Sequence, residues 1–334
     1  MPFLTAYLPR LFTFAIFMLS ASLLEGAPLN PAQIPSDTKW ILHFDVESAH
    51  QWSLAQKWQS EMKDKEWCKK KLGEVVEQFG WNPTEDLQGV TIYDNEYGRH
   101  NGVLALHVQN LDRDKLAASF KKSHPDAKTE EYRKRFISSW TESSPYRGEH
   151  PVSGSLVDNS LMIVSSSSQK IKAAIDVLDG EASALNTNSS LLKSFNREAI
   201  LACRAIDVPA DYQQKTRCPV LERCQTATMF FTVKDDVMYL QYDLEANDEE
   251  LAAKMKGAVV GMRAIMDLQV DKDELAQKML DALKITREGN HLLIRWQGES
   301  DQFAKVAQEM KKHKKWGRYD WKKNKTDSAP APKN

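Results

Sequence analysis

Residues 111–122 (LDRDKLAASFKK) and 246–257 (ANDEELAAKMKG) follow one plan. Each places an aspartate where it caps a helix, makes the first turn acidic, and opens the buried side with Leu-Ala-Ala. The aspartate oxygen satisfies an orphan amide, and the acidic turn complements the positive end of the helix dipole. Each stretch also follows a predicted β-hairpin. Before the first come strands over 88–93 and 103–108 around a polar turn with Gly98 and Asn101-Gly102; before the second come 226–233 and 237–244 across Lys234-Asp235-Asp236. Leu116 and Leu251 lie 135 residues apart, and Asn159 and Asn290, each opening a strand after a turn, lie 131 apart. This spacing predicts two diverged copies of one β-α-β-β-α-β-β-α unit.

The flanking segments extend the same plan. Residues 39–46 (KWILHFDV) read as a first strand, and 199–208 (AILACRAIDV) stand in its place in the second half. A helix with Trp52, Ala55, Trp58 and Met62 on one side follows the first strand, then one with Leu72, Val75, Val76 and Phe79 that ends at Gly80. Trp52, Trp58, Trp67 and Trp296 fall at spacings that suit a core. The expected class is α+β, a mainly antiparallel sheet with helices packed on one face. The expected divisions are a signal peptide at 1–27, a first α+β unit with a helical insertion at 36–196, a second unit at 197–314, and a basic, Pro/Ala-rich tail at 315–334.

The N-terminus predicts export. Arg10 precedes the apolar run LFTFAIFMLSASLL (11–24), and Gly26, Ala27 and Pro28 follow. As a helix that run spans roughly 21 Å, short of the ~30 Å hydrocarbon core, so no transmembrane span is expected after signal removal. Cutting after Ser22 or after Ala27 are both open. Export to a secreted or periplasmic location permits disulfides; four cysteines allow three pairings, with Cys218 and Cys224 the local candidate. Composition, 42% hydrophobic and 27% charged with a net charge of −1, is that of a folded domain and argues against a general polyanion binder.

A signal peptide, the early strand Trp40-Ile-Leu-His-Phe-Asp-Val, two α+β copies and a Lys-rich, Ala/Pro-ended tail together resemble exported bacterial proteins of the domain-of-unknown-function type. That resemblance implies an envelope or extracellular location and carries no catalytic motif.

Two site candidates stand out. His43, Asp45 and Glu47 alternate, so a strand would project all three from one face as a solvated row or as metal ligands. The tail 311–325 (KKHKKWGRYDWKKNK) carries eight basic residues and one acidic one. Its Lys314, Lys315, Trp316, Arg318, Trp321, Lys322 and Lys323 suit an anionic surface. No dinucleotide, Walker or GxSxG motif occurs. The leading expectation is a non-enzymatic binding or scaffolding protein of the cell envelope, with no cofactor, whose partner is an envelope protein or anionic surface and not nucleic acid. The alternative is a metal-dependent or other hydrolase using the His43, Asp45 and Glu47 face.

Overall fold

The computed structural model describes residues 27–98, 102–144, 148–193, 195–209, 220–270 and 274–305. Residues 1–26 of the signal-like segment, Cys218, and the tail residues Lys314, Lys315, Trp316, Arg318, Trp321, Lys322 and Lys323 lie outside the described residues.

In chain order, β1 (Trp40–Asp45) leads into α1 (Val46–His50), α2 (Ser53–Lys63) and α3 (Glu66–Phe79). Then come β2 (Leu87–Asp94), β3 (Val103–Val108), α4 (Arg113–Ser123), β4 (Lys128–Tyr132), β5 (Arg135–Ser144), β6 (Gly148–Leu156), β7 (Leu161–Ser165) and α5 (Ser168–Leu178). The second half adds β8 (Leu201–Ala205), β9 (Cys224–Lys234), β10 (Val237–Ala246), α6 (Glu249–Val270), α7 (Glu274–Asp281), β11 (Lys284–Glu288) and β12 (His291–Glu299). The capping signals act as their chemistry requires, but the Leu-Ala-Ala expected on the buried side does not lie there: Ala117, Ala118 and Ala253 are exposed, and only Ala252 is buried. Asp112 caps α4 by accepting from the Lys115 amide at 2.9 Å, and Asp248 accepts from the Leu251 amide at 2.7 Å. The β9–β10 hairpin turns on Asp235 and Asp236, both at positive φ (51° and 59°), as a twist-matched two-residue turn demands.

All the strands form one antiparallel 12-stranded sheet in the order β11-β12-β10-β9-β8-β1-β2-β3-β7-β6-β5-β4. Outward from the β1–β8 seam the order runs β1-β2-β3-β7-β6-β5-β4 one way and β8-β9-β10-β12-β11 the other. The two halves therefore share a sheet, joined where Ile41 pairs with Arg204 and His43 with Ala202.

Helices cover both sides of this sheet, where the sequence pattern placed them on one. On the side of Ile41 and His43, α5 lays Ile171, Ala174 and Ile175 over Ile41, Tyr93, Ala105 and Ile163. On the side of Leu42 and Phe44, Trp52, Leu54 and Ala55 from α1 to α2 pack over Leu201, Met229 and Phe231. Further along, Ala252, Met255 and Val259 of α6 cover Leu244 and Leu292. Trp52 is buried as expected, but Trp67 on α3 is 53% exposed. The periodicity is right for α3 as a helix; what it lacks is a sheet beneath most of its length. On the His43 side of the second half, Gln241, Asp243 and Arg295 stay solvated, paired as Arg295 with Gln241 and His291 with Asp243.

Candidate functional site

Two places carry the residues that bear on function: the end of β1, and the solvent side of α6.

At the end of β1, the alternation places His43 and Asp45 on one sheet face, as the sequence indicated, but that face is interior. His43 is 1% exposed and Asp45 3%. The third residue does not follow, because the strand ends at Asp45 and Glu47 sits within α1. Asp45 caps that helix: Oδ1 accepts from the Ser48 amide at 2.8 Å and Oδ2 from the Ser48 hydroxyl at 2.7 Å. Glu47 is buried, with one carboxylate oxygen 3.4 Å from Gln88 Nε2, and burial pushes its carboxyl up from the usual range.

Both ring nitrogens of His43 are engaged. Nε2 donates to the Ala27 carbonyl at 2.9 Å, since a carbonyl only accepts, and this leaves Nδ1 to accept from the Thr91 hydroxyl at 2.9 Å. Burial holds the imidazole neutral by lowering its pKa to about 4. Among the described residues no group of three His, Cys, Asp or Glu side chains is placed to hold a metal ion. The His43, Asp45 and Glu47 set is thus a buried polar joint at the strand end rather than an assembled ligand row.

Among the described residues, Cys68 and Cys224 are buried and Cys203 is half-buried. Cys68 and Cys203 carry free thiols, and burial pushes that of Cys203 up to about 12. A thiol held that far from ionising is a poor nucleophile at neutral pH. Cys224 is buried with Sγ 3.2 Å from the Val220 carbonyl. A depression lined by Ser53, Asp235, Asp236, Glu299, Ser300 and Asp301 lies at the β9–β10 turn. Its groups serve the fold: Ser53 donates to Asp236, and Ser300 donates to the Asp236 carbonyl.

The solvent side of α6 is different in kind. Sequence reasoning took the start of this helix as an element with one buried side, yet its second half has polar residues only at Arg263, Asp267 and Gln269 and carries apolar residues on its outer side as well. Val260, Met262, Ile265, Met266 and Leu268 are all exposed, Ile265 by 59% and Leu268 by 81%. At 3.6 residues per turn, Ala253, Gly257, Gly261 and Ala264 form a strip of small residues along the outer side, with Val260 on one flank and Ile265 on the other. A Cβ added at Gly257 or Gly261 would meet nothing within 4 Å. The fold therefore makes no use of either glycine's missing side chain, while each costs about 1 kcal/mol of helix propensity against alanine. Among the described residues no helix is long and apolar enough to cross a membrane. The signal that could have exposed this surface is the loss of polar residues from one side of the 258–268 stretch, combined with two glycines one turn apart.

No family model and no curated protein matches the chain. Among solved structures it is similar to crystal form III of TP0453, at 11% identity and a TM-score of 0.47, over 87% of this chain and 100% of that one. It is also similar to crystal form I (11%, TM-score 0.43, 85% of this chain and 98% of that one) and to form IV (10%, TM-score 0.43, 85% and 97%).

Proposed function

We propose that this chain is an exported, non-enzymatic binding or scaffolding protein of the cell envelope, and that it docks a helix of a partner protein against the solvent side of α6. The observation that carries the reading is the exposed cluster Val260, Met262, Ile265, Met266 and Leu268. Contiguous apolar surface on a folded protein marks an interaction site, because leaving it in water costs free energy that a partner recovers. The small strip narrows the occupant. Gly257 and Gly261 let a second helix backbone approach closely and insert its side chains between the Val260 and Ile265 flanks. A lipid surface gains nothing from absent side chains. The engaged state of His43, Asp45 and Cys203 supports a binding role over a catalytic one.

The test fills the strip. Gly257→Leu with Gly261→Leu adds bulk where there is open space, so folding should be retained or improved. Wild-type protein taken from the native envelope should migrate as a larger assembly, and the double variant as the bare chain. Equal migration of the two would reject the docking surface. A purified wild-type chain that by itself runs as a dimer would replace the partner with a second copy.

A further inference from the structure

We infer that the mature chain begins at Ala27, and that its α-ammonium group is the counter-ion of the buried Asp45 carboxylate. This rests on the export reading above.

Ala27 occupies a built seat at the end of β1. Its nitrogen lies 3.1 Å from Asp45 Oδ1, and its carbonyl accepts from His43 Nε2 at 2.9 Å. Beneath it is Gly89 of β2, where an added Cβ would come 3.4 Å from the Ala27 methyl. The residues that follow are part of the core, with Leu29 and Ile34 both nearly inaccessible and packed with Ile41 and Ile171.

Asp45 gives the reason for a charged group at that position. It is 3% exposed, and among the described residues it has no lysine, arginine or histidine in ion-pair contact. Three neutral donors, the Ser48 amide, the Ser48 hydroxyl and the Ala27 nitrogen, are arranged around it. A buried carboxylate is costly unless paired, and hydrogen bonds from a charged donor are about twice as strong as those from a neutral one. Hydrolysis of the Gly26–Ala27 peptide bond adds water across it: Gly26 leaves with the new carboxylate, and Ala27 keeps its nitrogen as an ammonium within reach of Asp45.

The alternatives fit the seat less well. A cut after Ala27 would remove the partner of His43 and one donor to Asp45, and would leave proline as the first residue. A cut after Ser22 would leave residues 23–26 in place and keep the Ala27 nitrogen a neutral amide. Gly26 supplies the small residue that a signal-processing enzyme requires before the cut, although Leu24 two positions earlier is larger than the usual preference.

Intact-mass measurement and N-terminal sequencing of the exported protein decide the position. A chain starting at Ala27 is expected; one starting at Leu23 or Pro28, or one retaining Met1, overturns the inference and leaves export standing, while absence of the protein from the exported fraction contradicts export itself. The counter-ion is tested by stability. A chain begun at Ala27 should have a folded-to-unfolded ratio roughly tenfold above one begun at Gly26, with the difference lost on Asp45→Asn in both. Equal stability of the two wild-type chains would show that Asp45 needs no ammonium.

Discussion

Acidification from pH 6.5 to pH 4 is expected to cost the fold about 3 kcal/mol through His43 alone. Burial lowers the folded-state pKa of His43 from 6.5 to about 4, so in this window the unfolded chain takes up a proton that the folded chain refuses. Stability therefore rises with pH across the window; it is fully present above 6.5, falls as the pH drops toward 4, and changes no further once both states are protonated. The cause is geometric. The ring is 1% exposed, so an imidazolium there would give up the hydration that stabilises it in the unfolded chain. His107, on the same sheet face, is also lowered by burial and adds a slope of the same sign. Glu47, raised by burial, contributes in the opposite sense, since the folded chain holds its proton to higher pH. His43→Gln retains an amide able to donate to the Ala27 carbonyl and does not titrate. Denaturant unfolding of wild type and variant from pH 4 to 8 should show the variant with a shallower dependence, and parallel curves would refute the assignment.

Trp52→Ala is expected to remove about 3–5 kcal/mol. Trp52 is 9% exposed at the junction of α1 and α2, and its ring meets Phe231 of β9 edge to face at 5.6 Å and Trp58 at 6.0 Å. Its indole nitrogen donates to Ser300 Oγ at 2.6 Å, and Ser300 in turn donates to the Asp236 carbonyl at 2.7 Å. One side chain thus ties the first half's helices to the β9–β10 turn and the end of β12. Truncation opens a cavity and strands the serine hydroxyl's acceptor capacity. Trp52→Phe keeps most of the packing and loses the hydrogen bond, so it should cost about 1–2 kcal/mol. Thermal unfolding of the two variants reads the difference directly; equal losses would mean that the indole ring's volume contributes little.

Both effects involve residues whose role was only half legible in the sequence. The alternation over 39–46 correctly places His43 and Asp45 on one face, because strand periodicity fixes which side chains are co-facial. It does not state which face is covered. β1 lies at the centre of the sheet, between β8 and β2, with α5 packed on the side that carries His43, so the polar row is interior. Asp45 and Glu47 part company because the Asp45 side chain starts a helix, turning the chain before a third alternation is completed. The helix of Trp67 shows the converse. Its apolar spacing matches that of Trp52, but burial depends on what lies opposite, which spacing does not encode. The hairpins and helix caps were legible because their chemistry is local: Asp112, Asp248 and Asp235-Asp236 act within a few residues of themselves. The outer side of α6 was not, since apolar residues such as Val260, Ile265 and Leu268 read as core until the surroundings of the helix are known.

The docking role of α6 is tested most directly by site-specific photo-crosslinking in the native envelope. A crosslinker at Leu268, and separately at Ile265, should each yield a discrete adduct with another protein, lost when Gly257 and Gly261 are both replaced by leucine; a crosslinker at Arg295, on the open polar side of the sheet, should yield none. Adducts to lipid alone from α6, or equal protein adducts from Arg295, would contradict the account.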